Sequence, residues 1–181
     1  PDYRDVQLTV NVSGHQFHQD DFMLQVARHI AETDIDPSRL KLELTESVIL
    51  DNVEEVIARM HELKTLGVAF SLDDFGTGYS SLSYLKRLPF DQVKIDQSFV
   101  RELDEDTNDA AIVRAILAMS RSLGLDVIAE GVETAAQHRL LNECGCRRFQ
   151  GYLFGRPMPI EDWRVRVRVH ADAVGEARRE G

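Results

Sequence analysis

The chain predicts an α/β fold, a parallel (β/α) barrel of the TIM type, on two observations. Short apolar runs alternate with amphipathic helical patterns, and almost every apolar run ends on a polar residue. The alternation predicts βαβ units with right-handed crossovers. In a barrel the C-terminal strand ends converge on one mouth, whereas an open sheet gathers only those at its switch point. Strand ends bearing Asn11, Glu43, Asp73 with Asp74, Lys94 with Asp96, Glu130 and Gln150 therefore favour the barrel.

The elements follow in order. Strands are expected at Gln7 to Val12, Arg39 to Leu44, Val68 to Asp73, Asp91 to Ile95, Asp126 to Glu130 and Arg147 to Gln150. Helical periodicity lies between them at Asp20 to Glu32, Val53 to Leu66, Ser80 to Leu88, Asp109 to Leu123 and Thr134 to Glu143. Asp51 and Asn52 are candidate caps of the second helix; Gly67 ends it, as Gly124 ends the fourth. A terminal helix is favoured over an edge strand at Arg164 to Val169. The polar tail from Ala171 to Gly181 reads as frayed or as a linker. Residues 1–170 are thus expected to form the barrel and 171–181 the tail.

Composition bounds the function classes. A chain of 181 residues suits one domain or most of a larger one. A formal net charge of -10 argues against broad binding to DNA or to an anionic membrane surface. A metal ion would still let an acidic protein take a phosphate ester. No long apolar segment or signal-like start is present, so no membrane insertion is expected. Cys144 and Cys146 have the wrong spacing for a zinc knuckle or a thioredoxin-like pair. They read as reduced thiols near a helix end, which fits a cytoplasmic location. The start at Pro1 suggests a piece of something longer.

The richest stretch runs from Ser71 to Leu82. An apolar run ends on Asp73 and Asp74, followed by Gly76, Gly78 and a group of hydroxyl residues. Adjacent aspartates repel, so a site that keeps both ionised supplies a cation. Hard oxygen ligands favour magnesium, manganese or calcium. Singly, each other candidate has an ordinary explanation. Glu43 and Glu46 suit a solvated strand end and helix start. Lys94 suits a surface lysine or a partner of Asp96. Glu130 and Glu133 suit a cap for the helix near Thr134, and Asn11 a turn cap. Their convergence on strand ends is what points to a site. The six histidines form no ligand-spaced pair at a strand end, and Trp163 reads as packing for the last helix.

These residues also carry a resemblance. Asn11-Val12-Ser13, Glu43-Leu44-Thr45-Glu46, Asp73 through Leu82, Val93-Lys94-Ile95-Asp96, Ala129 through Thr134 and Phe149 through Phe154 are similar, in order, to the successive signatures of EAL domains. The resemblance spans about Val6 to Trp163. It implies a TIM-like barrel that hydrolyses the bacterial second messenger cyclic di-GMP to linear pGpG. The Glu-Ala-Leu signature itself is absent, as is a nearby substrate-binding arginine. The expectation is therefore a barrel incomplete at its N-terminus, with about six of eight strands, impaired by loss of one metal-ligating glutamate.

The roles that the resemblance implies are these. Asn11, Glu43 and Asp73 ligate the first metal; Asp73, Asp74 and Glu130 hold the second. Lys94 orients and activates the attacking water, and Gln150 bonds to water around the metals. Glu46 ties down the glycine-rich loop beside the metals and a homodimer interface. Mg²⁺ or Mn²⁺ is the expected cofactor pair, with Ca²⁺ inhibitory. Upstream regulatory or cyclase domains are expected in the parent protein, which itself could be membrane-anchored. Two other classes stay open: a degenerate EAL domain that binds cyclic di-GMP without cleaving it, and an aldolase using Lys94 as a Schiff-base nucleophile. The surrounding acids disfavour the latter by raising the lysine pKa.

Overall fold

A computed structural model describes residues 6–49, 52–76, 82–103 and 107–163. Five strands form one parallel sheet in the order β1 (Leu8–Asn11), β2 (Leu40–Thr45), β3 (Ala69–Phe75), β4 (Gln92–Ile95) and β5 (Asp126–Ala129). Sequential neighbours in parallel register are what repeated right-handed crossovers produce. The helices are α1 (Gly14–Phe17), α2 (Phe22–Thr33), α3 (Val53–Thr65), α4 (Leu82–Leu85), α5 (Ser98–Arg101), α6 (Thr107–Ser122) and α7 (Ala135–Cys144). Short 3₁₀ turns occupy Pro37–Arg39 and Glu46–Ile49. No helix among the described residues is long and apolar enough to cross a membrane.

Strand alternation sorts the side chains into two layers. Leu42, Leu44, Phe70, Leu72, Val93 and Ile95 join the apolar core beneath the helices. The intervening positions put Lys41, Glu43, Ser71, Asp73, Gln92 and Lys94 on the other face, where they bond to one another. From α3, Val56, Met60 and Leu63 supply a buried stripe at helical spacing. Burying side chains of this size contributes roughly 1.5–3 kcal/mol each, which fixes the register of the polar face as well.

Several local signals act as the sequence implied. Asn52 caps α3 by accepting from Glu55 N, and Gly67 and Gly124 take positive φ after α3 and α6. Other features differ. The strand expected at Arg147–Gln150 is reduced to one parallel bridge, Ala129 with Phe149. Gly151 packs against Val132 so closely that a Cβ there would lie 2.2 Å from the Val132 carbonyl oxygen, and Arg147 Nη1 turns back to the α7 end at Asn142 O, 2.8 Å away. Backbone bonds of Ala129 N to Arg148 O, Gln150 N to Ala129 O and Val132 N to Gln150 O still tie the segment to the β5 end. The cap of α7 is Thr134 with Gln137 in a reciprocal capping box, not Glu130 or Glu133. Ser13, not Asn11, caps α1. The helix expected over Ser80 to Leu88 is described only at Leu82–Leu85. Asp51, the Thr77 to Ser81 part of the loop, the Asp104 to Asp106 stretch, the Arg164 to Val169 helix and the tail lie outside the described residues.

Candidate active site

The site lies at the C-terminal ends of the parallel strands. Its centre is Lys94 on β4, 4% exposed and surrounded by carboxylates from three other chain segments. Lys94 Nζ lies 2.9 Å from Glu43 Oε2 on β2, 2.9 Å from Asp73 Oδ1 on β3 and 2.6 Å from Glu130 Oε1 just past β5. Its ion-pair partners are these three carboxylates, whereas Asp96 bonds to Ser98 and Asp74. Burial works to lower its pKa, but hydrogen bonds to Glu130, Asp73 and Glu43 overturn that and hold it above the ordinary lysine range. Such an amine stays protonated, which argues against Schiff-base chemistry.

A bulge explains how two consecutive aspartates both reach this mouth. The β3–β4 register runs Ser71 with Gln92 and Leu72 with Val93, then resumes at Phe75 with Ile95. Asp73 and Asp74 therefore stand opposite Lys94 alone. Asp74 takes φ +53°, a left-handed conformation that Asp tolerates better than most residues. Without the bulge, adjacent residues would point to opposite faces of the sheet.

The resulting donor set is hard and anionic. Carboxylate oxygens of Asp73, Asp74 and Glu130 all lie within 4.8 Å of one another. Burial, then the charges of Asp73 and Asp96, raise the Asp74 pKa, and burial raises that of Glu130 against the pull of Lys94. Carboxylates held near one another at this cost fit a divalent, oxygen-preferring cation.

The other expected residues surround this cluster. Asn11 ends β1 in register with Glu43 and is exposed. Gln150 is exposed beside the mouth, its backbone N donating to Ala129 O at 2.8 Å. A cavity of about 250 Å³ joins it to Glu130, Gln97, Glu133 and Tyr152. Glu46, in the turn after β2, accepts from Gly76 N at 3.1 Å through Oε1, while its buried Oε2 has no hydrogen-bond partner among the described residues. Sequence reading placed Asp96 with Lys94 at the strand end but gave it no role in the site. It is buried, it hydrogen-bonds to Asp74, and its Oδ1 accepts from Ser98 N at 2.9 Å. Those Ser98 bonds keep its pKa low despite burial. The available signal was its place two residues after Lys94, on the same side of the strand end.

Comparison with known proteins converges on one family. The EAL domain profile matches residues 2–157. The bifunctional diguanylate cyclase/cyclic di-GMP phosphodiesterase MucR of Pseudomonas aeruginosa is 46% identical over 159 residues, which is 88% of this chain and 23% of that protein. This chain thus spans under a quarter of that relative's length. A solved PaMucR phosphodiesterase in complex with c-di-GMP superposes with TM-score 0.83 at 46% identity, covering 87% of this chain and 64% of that one. The EAL domain of Mycobacterium smegmatis DcpA superposes with TM-score 0.86 at 40% identity, covering 90% and 73%. BlrP1 of Klebsiella pneumoniae, solved with cyclic di-GMP and calcium or manganese, matches with TM-score 0.78 at 32% identity, covering 83% and 39%.

Proposed function

The chain belongs to the EAL domain family, a TIM-like barrel fold, and on that premise we propose that it is the catalytic part of a metal-dependent phosphodiesterase that opens cyclic di-GMP to linear pGpG. The observation that carries this reading is the meeting of Glu43, Asp73, Asp74, Lys94 and Glu130 at one strand mouth.

In this reading Asn11, Glu43, Asp73, Asp74 and Glu130 hold two Mg²⁺ or Mn²⁺ ions. Bound there, the ions supply Lewis acidity that polarises water and offsets charge on the phosphoryl oxygens. Lys94, fixed by three carboxylates, keeps a full positive charge where the phosphoryl group must sit, and it orients the attacking water. Water oxygen bonds to phosphorus, the bond to the 3′ oxygen breaks, and a proton reaches that leaving oxygen. The product keeps a 5′ phosphate. Gln150 bonds to water at the rim, and Glu46 fixes the backbone at Gly76, where the glycine-rich loop begins. Ca²⁺, larger and less exacting in geometry, arrests the reaction.

The greater length of the relatives supports upstream regulatory or cyclase domains in the parent protein, and a homodimer is part of the same reading. The test is incubation of cyclic di-GMP with a chain extended upstream through the complete EAL domain, in Mg²⁺, Mn²⁺, Ca²⁺ or no metal, followed by nucleotide separation. Linear pGpG with the first two alone is expected. Saturable nucleotide binding with no product under any condition would instead favour a receptor.

A further inference from the structure

The end of the sheet opposite the acidic mouth has the reverse electrostatic character. Gln92 and Asp126 open β4 and β5 in register there, and Lys41 is the second residue of β2. A cavity of about 270 Å³ lies beside them, lined by Arg121, Asp126, Gly145, Cys146, Arg147 and Arg148 among others. Three guanidinium groups and one carboxylate is an unusual balance on a protein of formal net charge -10.

Little in the molecule offsets these cations. Arg148 pairs with Asp126, which accounts for the one acid. Arg147 Nη1 donates to Asn142 O at 2.8 Å, Cys146 O at 2.9 Å and Asn142 Oδ1 at 3.2 Å. Those neutral acceptors fix the guanidinium in place without cancelling its charge. Arg121 stands next to Gly145, its Nη2 at 3.5 Å from where a Cβ would lie, and its guanidinium has no hydrogen-bond or ion-pair partner among the described residues. On the inner face Lys41 is 5% exposed, and its Nζ has one hydrogen-bond partner among them, the neutral Gln92 Oε1 at 3.2 Å. Burial and then the charge of Arg148 push the Lys41 pKa down. The charges of Asp126, Asp91 and Glu43 oppose that effect, and Lys41 is not part of the cavity lining.

We propose that this basal cavity is a binding site for a small phosphate-bearing anion, held by Arg121, Arg147 and Arg148. Guanidinium forks suit phosphoryl oxygens because two parallel N–H donors match their geometry. Gly145 at the wall is the left-handed cap of α7, with φ +98°. The site is separate from the acidic mouth, where the same anion would be repelled without metal. It does not depend on the phosphodiesterase reading.

The test is calorimetric titration of the chain with inorganic pyrophosphate and with inorganic phosphate in metal-free buffer, against sodium chloride of equal ionic strength. One saturable site is expected, tighter for pyrophosphate. Arg121→Ala should weaken it at least tenfold with the thermal midpoint in chloride unchanged, since that guanidinium bonds to nothing in the described structure. Arg148→Ala should weaken it too, with Arg148→Lys restoring part of the affinity. No saturable binding beyond the chloride control would overturn the proposal. So would binding that survives both alanine variants, or binding that responds to Asp74→Asn instead.

Discussion

Lys94 Nζ and Glu130 Oε1 lie 2.6 Å apart across the mouth of the sheet, joining β4 to the segment after β5. The same ammonium reaches Glu43 and Asp73, so one cation holds together carboxylates that would otherwise repel. This makes Lys94 a structural keystone in the metal-free protein and also a charge aimed at substrate.

Lys94→Met should therefore destabilise the metal-free protein by about 3–5 kcal/mol near neutral pH, the usual cost of leaving buried charges unpaired. The pH dependence has a definite sign. Losing the cation removes the pull that opposes the burial-raised pKa of Glu130, so the variant loses stability as pH rises through that value. Its deficit should be smaller at pH 4.5 than at pH 8. In the parent chain the Lys94 contribution is fully present below the unfolded lysine pKa of about 10.4 and is lost as pH rises through its higher folded value. Urea unfolding of both proteins at the two pH values measures this; a deficit independent of pH would contradict it.

Asp74→Asn should separate stability from function. Asn accepts the left-handed φ of +53° at least as well as Asp, and it removes repulsion from Asp73 and Asp96. The metal-free thermal midpoint should rise or hold, while metal-dependent turnover disappears. A fall in the midpoint would show that Asp74 is stabilising rather than strained.

Glu46→Ala removes the acceptor for Gly76 N and, with it, the tie between the β2 turn and the end of β3. Turnover of a chain extended through the whole EAL domain should fall roughly 10- to 100-fold, the range typical for supports of metal ligands. Hydrogen exchange at Gly76 should quicken in parallel. Unchanged activity with faster exchange would make the contact structural only.

Gly151→Ala tests how Gln150 is placed. The added Cβ would sit 2.2 Å from Val132 O and 2.3 Å from Val132 N, backbone atoms that cannot swing aside. A loss of about 3 kcal/mol in stability is expected, together with lower turnover as Gln150 is displaced. Equilibrium unfolding and single-turnover kinetics would read the two effects. A variant as stable as the parent would mean that the segment shifts freely.

Much of the parallel sheet was legible because strand alternation and terminal polar residues are local features, as at Glu43, Asp73 and Lys94. The polar face could be placed from the pattern Lys41, Glu43, Ser71, Asp73, Gln92, Lys94. What the sequence hid depends on distant partners. The bulge at Asp73–Asp74 exists only relative to Lys94 on the next strand, and Asp96 joins the site only through its bond to Asp74. The expected Arg147–Gln150 strand pairs only through the Ala129–Phe149 bridge, which depends on the end of β5 rather than on its own pattern. The arginine cavity escaped notice because Arg121 and Arg147 come from separate helix ends, with no motif joining them.

The most direct test of the central claim is cyclic di-GMP hydrolysis with Mg²⁺ or Mn²⁺, run on this chain beside one extended upstream through the complete EAL domain. The account predicts linear pGpG from the extended chain, little or none from the shorter one, and none after Asp74→Asn. An extended chain that binds the nucleotide in the presence of metal yet releases only intact cyclic di-GMP would contradict it.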